Sequence, residues 1–318
     1  MKHNNFLTCV SEGTNIALYA DDTKIWREIL GYEDHNILQD DIDKLYKWSI
    51  DNRMIFHPGK CKALSVTYQR NILDNLPFNI YFYTLDSRGI IDYEISSQTD
   101  LGVEITPKLS WKNQCDKLVA KANSKLGLLK RTCHFTVNQR QKRSFYLAII
   151  RSIFEHCSEI WSPQHQYLID KFAIIQKRAV KWIFGEMFMN YSEEVFFAKQ
   201  KELDILPMKL KFIFNDLVMF YKIVNELIPI SLPSYINVCR PEDVRYTRRN
   251  AAIQDLSDNS TYTSSATPNC DTFRNSFFYR TMHKWNKLPI SIRQASSLSL
   301  MKSSLTTFLW SADDDWPD

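Results

Sequence analysis

Over roughly the first hundred positions, apolar residues come in short runs or alternate with polar ones, as strands require; from Trp111 onward they recur every three to four positions, as helices require. Asn15-Ile16-Ala17-Leu18-Tyr19 reads as a strand, Asp21-Asp22 interrupts it, and Thr23-Lys24-Ile25-Trp26 restores strand-forming residues. That sequence predicts a tight hairpin with both aspartates at its turn. Residues 36–50 carry Ile37, Leu38, Ile42, Leu45 and Tyr46 at helical spacing, and Asp40, Asp41 and Asp43 are expected on the solvated face. Met54-Ile55-Phe56 and Ala63-Leu64-Ser65-Val66-Thr67 predict strands around the His57-Pro58-Gly59 turn. Residues 78–85 and 90–95 predict another pair, joined by Asp86-Ser87-Arg88-Gly89.

Beyond Trp111, residues 115–130 place Leu118, Ala122, Leu126 and Leu129 on one helical face. Lys117, Lys121 and Lys125 form a four-residue-spaced stripe around a different face. Further helices are expected over about 137–160, from about 169 to a cap at Gly185, and from Pro207 to about 227. The polar stretch 241–269 reads as a long loop or linker, and apolar and aromatic spacing returns from Phe273. The pattern predicts an α+β chain in four segments, 1–107, 108–240, 241–269 and 270–318, with the strands in the first and a mainly α-helical remainder.

Composition narrows the class. A hydrophobic content of 44% in 318 residues supports a sizeable core, so a disordered chain is excluded. The seven cysteines are odd in number and scattered, with no CxxC pair and no histidine at zinc-finger spacing. They read as reduced intracellular thiols, nuclear or cytoplasmic, with no zinc. The first apolar stretch is too brief for a signal peptide, and the most apolar windows contain Arg151 or Asp216, so no membrane partner is expected. Charge is more informative than any of these. Residues 108–151 hold eleven Lys and Arg against one acid, while the overall balance is only +4. This segment, which includes Lys117, Lys121, Lys125, Lys130 and Arg131, predicts binding to nucleic acid, against the simpler reading of a solvated face.

Tyr19-Ala20-Asp21-Asp22 carries the candidate chemistry. Carboxylate oxygens are the ligands Mg²⁺ prefers, and paired acids on a hairpin tip hold the ions in two-metal phosphoryl transfer. Such a centre needs at least one further carboxylate from a separate strand. Without it, two adjacent acids make an ordinary solvated turn.

In the order of its motifs the chain resembles the reverse transcriptases of non-LTR retrotransposons, particularly the jockey-like group of animals. Tyr19-Ala20-Asp21-Asp22-Thr23-Lys24 matches that family's signature, followed by Trp48-Ser49, Met54-Ile55-Phe56 and Lys60-Cys61. Asp100-Leu101-Gly102-Val103 is similar to its primer-grip turn, and Leu109-Ser110-Trp111 with Lys121-Ala122-Asn123 and Leu126-Gly127 to the start of its thumb. Gln176-Lys177-Arg178-Ala179, Phe273-Arg274-Asn275-Ser276-Phe277 and Trp285-Asn286-Lys287-Leu288-Pro289 resemble the region beyond its polymerase core.

The resemblance implies a partial polymerase palm sheet with hairpins and one helix, then a thumb and C-terminal region. It makes Asp21 and Asp22 catalytic metal ligands for Mg²⁺, brings Lys60 to the triphosphate, and gives Leu101 and Gly102 the primer grip. The partners it implies are an RNA template and a DNA primer. The family often has Asn where His57 stands. Its fingers and first metal-binding aspartate precede the Asp-Asp hairpin, whereas eighteen residues precede Tyr19 here. The expectation is a reverse transcriptase-derived C-terminal fragment that is inactive alone. The alternative is a noncatalytic nucleic-acid-binding remnant, or a decayed element without a retained role.

Overall fold

The computed structural model describes residues 9–54, 56–57, 60–66, 81–83, 88–90, 96–133, 137–187, 189–239 and 261–311, with backbone alone at 81–83 and 88–90. The chain divides into two compact units, residues 1–110 and 111–318. It is a mixed architecture in which helices dominate and the described sheets are small antiparallel pairs.

In the first unit, β1 (Thr14–Tyr19) and β2 (Asp22–Arg27) pair antiparallel, with Tyr19 opposite Asp22. The turn is therefore Ala20-Asp21, two residues long, as hairpins with matched strand twist require. Helix α1 (Tyr32–Asp51) follows. It buries Leu38 and Ile42 against Ile25, Ile29, Phe56, Cys61 and Ala63. Two short hairpins complete the unit: β3 (Tyr81–Tyr83) with β4 (Arg88–Ile90), and β5 (Gln98–Asp100) with β6 (Val103–Ile105).

Several expectations change here. Met54, Phe56 and residues 61–66 form no strand; Phe56, Cys61 and Ala63 pack against α1, so tertiary contact replaces a ladder. Ile55 and Thr67 lie outside the described residues, as do most of 78–85 and 90–95. Arg88 and Gly89 belong to β4, not to a loop. Asp41 is fully buried, not solvated. Its carboxylate accepts from the Ser11 backbone amide at 3.0 Å, the Ser11 hydroxyl at 2.7 Å and Lys44 Nζ at 2.8 Å. Burial alone would push this carboxyl up, but the bonds from Lys44 and Ser11 outweigh it and hold it below the usual range. Asp41 thus moors the segment that leads into β1.

The second unit begins with α2 (Lys112–Thr132), which buries Cys115, Leu118, Ala122, Leu126 and Leu129. Burial pushes the Cys115 thiol up to about 12, so it is inert packing. The helix expected over 137–160 is interrupted. Helix α3 (Gln139–Phe145) starts on a capping box in which Asn138 Oδ1 accepts from the Gln141 amide and Gln141 Oε1 from the Asn138 amide. It runs through a π-turn (Tyr146–Arg151) into α4 (Ser152–Glu155). The chain then breaks at Cys157, whose φ is +50°, before α5 (Ser158–Trp161). Trp161 Nε1 donates to the freed His156 carbonyl at 2.9 Å, which ties the break to the core.

Helix α6 (Gln166–Phe184) ends at Gly185, whose φ of +76° closes it as the sequence predicts. Helix α7 (Glu193–Glu202), capped by Ser192, was not anticipated. Helix α8 (Met208–Val224) is the axis of this unit. Strand β7 (Ile236–Cys239) pairs with β8 (Thr261–Ser264), so part of the expected loop 241–269 is strand, and 241–260 lies outside the described residues. Four C-terminal helices follow: α9 (Asp271–Arg274), α10 (Phe277–Asn286), α11 (Ile290–Arg293) and α12 (Leu298–Ser311).

Two connected cores hold the unit. Phe154, Trp161, Phe172 and Phe212 meet at centroid distances from 4.9 to 5.8 Å, mostly edge to face. Leu217, Phe220 and Tyr221 of α8 pack with Trp285, Leu288, Ile292, Met301, Leu305 and Leu309. Between them, Asp216 and Arg280 form an ion pair at 2.8 Å that is almost wholly buried. No helix among the described residues is long and apolar enough to cross a membrane.

Glu159, half-buried near this pair, has its carboxyl pushed up, first by burial and then by the Asp216 charge. An acid raised in the fold leaves the protein more stable below the ordinary glutamate range, and that contribution is lost as pH rises through the folded value. Glu159→Gln is therefore expected to raise the thermal midpoint at pH 7, with the gain disappearing near pH 4, about where the unfolded glutamate titrates. Equal stabilisation at both pH values, or a loss at pH 7, would contradict this.

Candidate functional site

Asp21 lies in the hairpin turn and Asp22, expected there too, opens β2; both are exposed, and Tyr19 beside them is 67% exposed. Ala20 takes a φ of +53°, where a side chain clashes with the following carbonyl. Both strands of the tip are short, and neither aspartate is hydrogen-bonded to another described side chain, so the two carboxylates are free to point into water.

The β5–β6 turn is Leu101-Gly102, at φ +46° and +86°. Two consecutive positive φ values are the mark of a type I′ hairpin turn; glycine satisfies the second without strain, and leucine is unusual at the first. Lys24 Nζ meets Asp100 Oδ2 at 2.5 Å. One ion pair therefore joins the hairpin of Asp21-Asp22 to the hairpin of Leu101-Gly102. Both partners are substantially exposed, so it contributes at most about 1 kcal/mol.

Lys60 is exposed, and its amide donates to the His57 carbonyl at 3.0 Å. No hydrogen bond or ion pair among the described residues links it to Asp21 or Asp22. Nor do any three His, Cys, Asp or Glu among the described residues gather so as to hold a metal ion. A two-metal centre needs a third carboxylate to bridge the ions, so the described donor set does not fit a pair of Mg²⁺ ions.

On α2 the exposed residues include Lys117, Lys121 and Lys125 along one stripe, with Arg131 also exposed and Lys130 half-buried. Like charges at four-residue spacing repel by a few tenths of a kcal/mol per pair, so an arriving polyanion relieves the strain. Lys121 and Lys125 take part in no ion pair among the described residues. The rest of the basic segment is less available than its sequence count implies. Arg151 is 4% exposed and donates to the Leu206 carbonyl at 2.9 Å and to Glu155 at 3.1 Å. Arg143 donates to the Leu203 and Asp204 carbonyls, and Lys142 lies over the Trp182 ring. These three hold the helices together. Lys112 and Lys171 share Asp116, which pulls that carboxyl below its usual range.

A residue outside the basic segment, placed by the resemblance beyond the polymerase core, lies across from α2. Arg178 of α6 donates to Asn123 Oδ1 at 3.1 Å. The local signal is faint: Arg178 follows Lys171 by seven positions, two turns along the same face of α6.

Compared with protein-family models, with curated proteins and with solved structures, the chain matches none.

The strained turn gives a direct test of the hairpin geometry. Ala20→Gly removes a left-handed penalty of about 1–2 kcal/mol against an entropic cost of about 0.5–1 kcal/mol, for a net gain of ~0.5 kcal/mol. Amide hydrogen exchange across β1 and β2 is expected to slow, and Ala20→Val to speed it. Slower exchange in the valine variant would contradict the turn.

Proposed function

We propose that this chain is derived from a non-LTR retrotransposon reverse transcriptase and that, by itself, it binds nucleic acid without catalysing nucleotidyl transfer. The observation that carries the reading is the α2 stripe: Lys117, Lys121 and Lys125 exposed along one face, on a helix seated by Cys115, Leu118, Ala122, Leu126 and Leu129. A row of ammonium groups spaced by one turn of a seated helix follows a phosphate backbone without reading its sequence. The fitting ligand is a duplex of template RNA and primer DNA, held by its phosphates, with Arg131 extending the positive surface.

The hairpin supports descent more than activity. Asp21 stands exposed in the two-residue turn and Asp22 at the first position of β2, joined through Lys24 and Asp100 to the Leu101-Gly102 turn that would steady a primer end. What argues against catalysis by the chain alone is the missing third carboxylate among the described residues. Two carboxylates on one exposed tip fix neither the separation nor the orientation of two ions, and misplacing reacting atoms by about 1 Å already costs on the order of a hundredfold in rate. Lys60, meant to approach the triphosphate, is exposed and unlinked to the pair, so it adds no preorganisation.

The purified chain is expected to show no Mg²⁺-dependent primer extension, yet to bind an RNA–DNA hybrid with an affinity that falls steeply with salt. Replacing Lys117, Lys121 and Lys125 together by Gln should lower the slope of log affinity against log salt by about three, roughly 0.9 for each phosphate no longer neutralised. Extension that Asp21→Asn abolishes would overturn the noncatalytic reading. An unchanged salt slope in the triple variant would overturn the binding one.

A further inference from the structure

We infer that the seam between α2 and α6 is a second phosphate-binding site, in which Lys130 and Arg178 grip one backbone phosphodiester and Asn123 aims the guanidinium. It lies on a different side of α2 from the Lys117 stripe and is built from two helices instead of one. It rests on the proposal that α2 is a nucleic-acid-binding helix, and it adds a residue, Arg178, from outside the basic segment.

Three observations converge. Asn123 and Lys130 are seven positions apart on α2, which places them on one face two turns apart. Arg178 reaches that face from α6 through its bond to Asn123 Oδ1, which occupies one of five guanidinium donors and leaves the others for a ligand. Neither Lys130 nor Arg178 has a carboxylate partner among the described residues. Asp116, which bridges α2 and α6, is already engaged by Lys112 and Lys171.

Two cations on one seam, Arg178 bonded at Asn123 and Lys130 two turns along the same face, one of them half-buried and neither with a carboxylate partner among the described residues, form an unfavourable arrangement in the absence of an anion. The Lys130 ammonium accordingly sits below its ordinary value, because burial disfavours its charge and Arg178 repels it. A phosphodiester removes both penalties at once. Its two free oxygens match a planar fork and a point charge, the pairing in which Arg gives direction and Lys gives charge. Ile174, one turn before Arg178 on α6, is 49% exposed and offers apolar contact to the sugar edge of the same strand.

The test is the salt dependence of binding to a short RNA–DNA hybrid duplex by the full chain. Arg178→Gln and Lys130→Gln are each expected to lower the log-log salt slope by about one, both in the wild-type protein and in the variant lacking Lys117, Lys121 and Lys125. Arg178→Lys should restore the slope, since it keeps the charge. If the seam variants leave the slope unchanged while the stripe variant lowers it, the seam site falls and the binding function stands. If neither set changes it, both fall. A slope reduced in Arg178→Lys as fully as in Arg178→Gln would mark a structural role for Arg178 and overturn the site.

Discussion

The helical unit depends on a single buried ion pair. Arg280 Nε donates to Asp216 Oδ2 at 2.8 Å and its Nη2 to Asp216 Oδ1 at 2.9 Å, with side chains 5% and 2% exposed. Its remaining donors reach the Glu159 carbonyl at 2.6 Å and the Asn275 carbonyl at 2.8 Å. One guanidinium thus fixes α10 against α8 while binding the chain at α5 and just after α9. Taking such charges out of water is unfavourable, and hydrogen bonding on every side is what makes the arrangement tolerable. Removing one partner of a buried pair typically destabilises by about 3–5 kcal/mol, because the other is left charged and dry.

That constraint propagates to the surface through packed aromatics. With α10 held on α8, Trp285 meets Phe220 and Tyr221, and Met301, Leu305 and Leu309 of α12 close the same side. Phe212 of α8 contacts Trp161 and Phe172, and Phe172 belongs to α6. Arg151 and Gln176 both donate to the Leu206 carbonyl, so the π-turn and α6 are tied to the segment that enters α8. α2 then lies on α6, with Asp116 and Asn123 bonded to Lys171 and Arg178. The lysine stripe is the outer edge of a stack whose innermost member is Asp216. Binding through such a stripe costs little ordering of backbone, which favours affinity for a long, uniform polyanion.

Features encoded locally were legible in the sequence. The β1–β2 hairpin follows from a run of strand formers split by Asp21-Asp22, the seated face of α2 from its apolar spacing, and the end of α6 from Gly185. Features set by distant partners were not. Asp41 looks like one of three solvated acids until Ser11 is folded over it. Nothing near residue 150 announces that Arg151 will be buried under Leu206 or that the helix will take a π-turn there. A linear charge count treats Arg143 and Arg151 as surface and misses Arg178, because it knows which residues are neighbours in the chain and not which helices share a seam. Residues 61–66 have strand composition yet form no ladder, and Cys61 and Ala63 pack on α1 instead, the expected result where side-chain burial outweighs a weak β preference.

The most direct test of the account is a map of lysine reactivity toward a small acylating reagent, with and without an RNA–DNA hybrid duplex. The account predicts that Lys117, Lys121 and Lys125 lose reactivity when the duplex is bound, that Lys130 does so with them, and that Lys60 stays as reactive as in the free protein. Protection of Lys60 with the α2 lysines unchanged would contradict it, and would return the binding surface to the hairpin of Asp21 and Asp22.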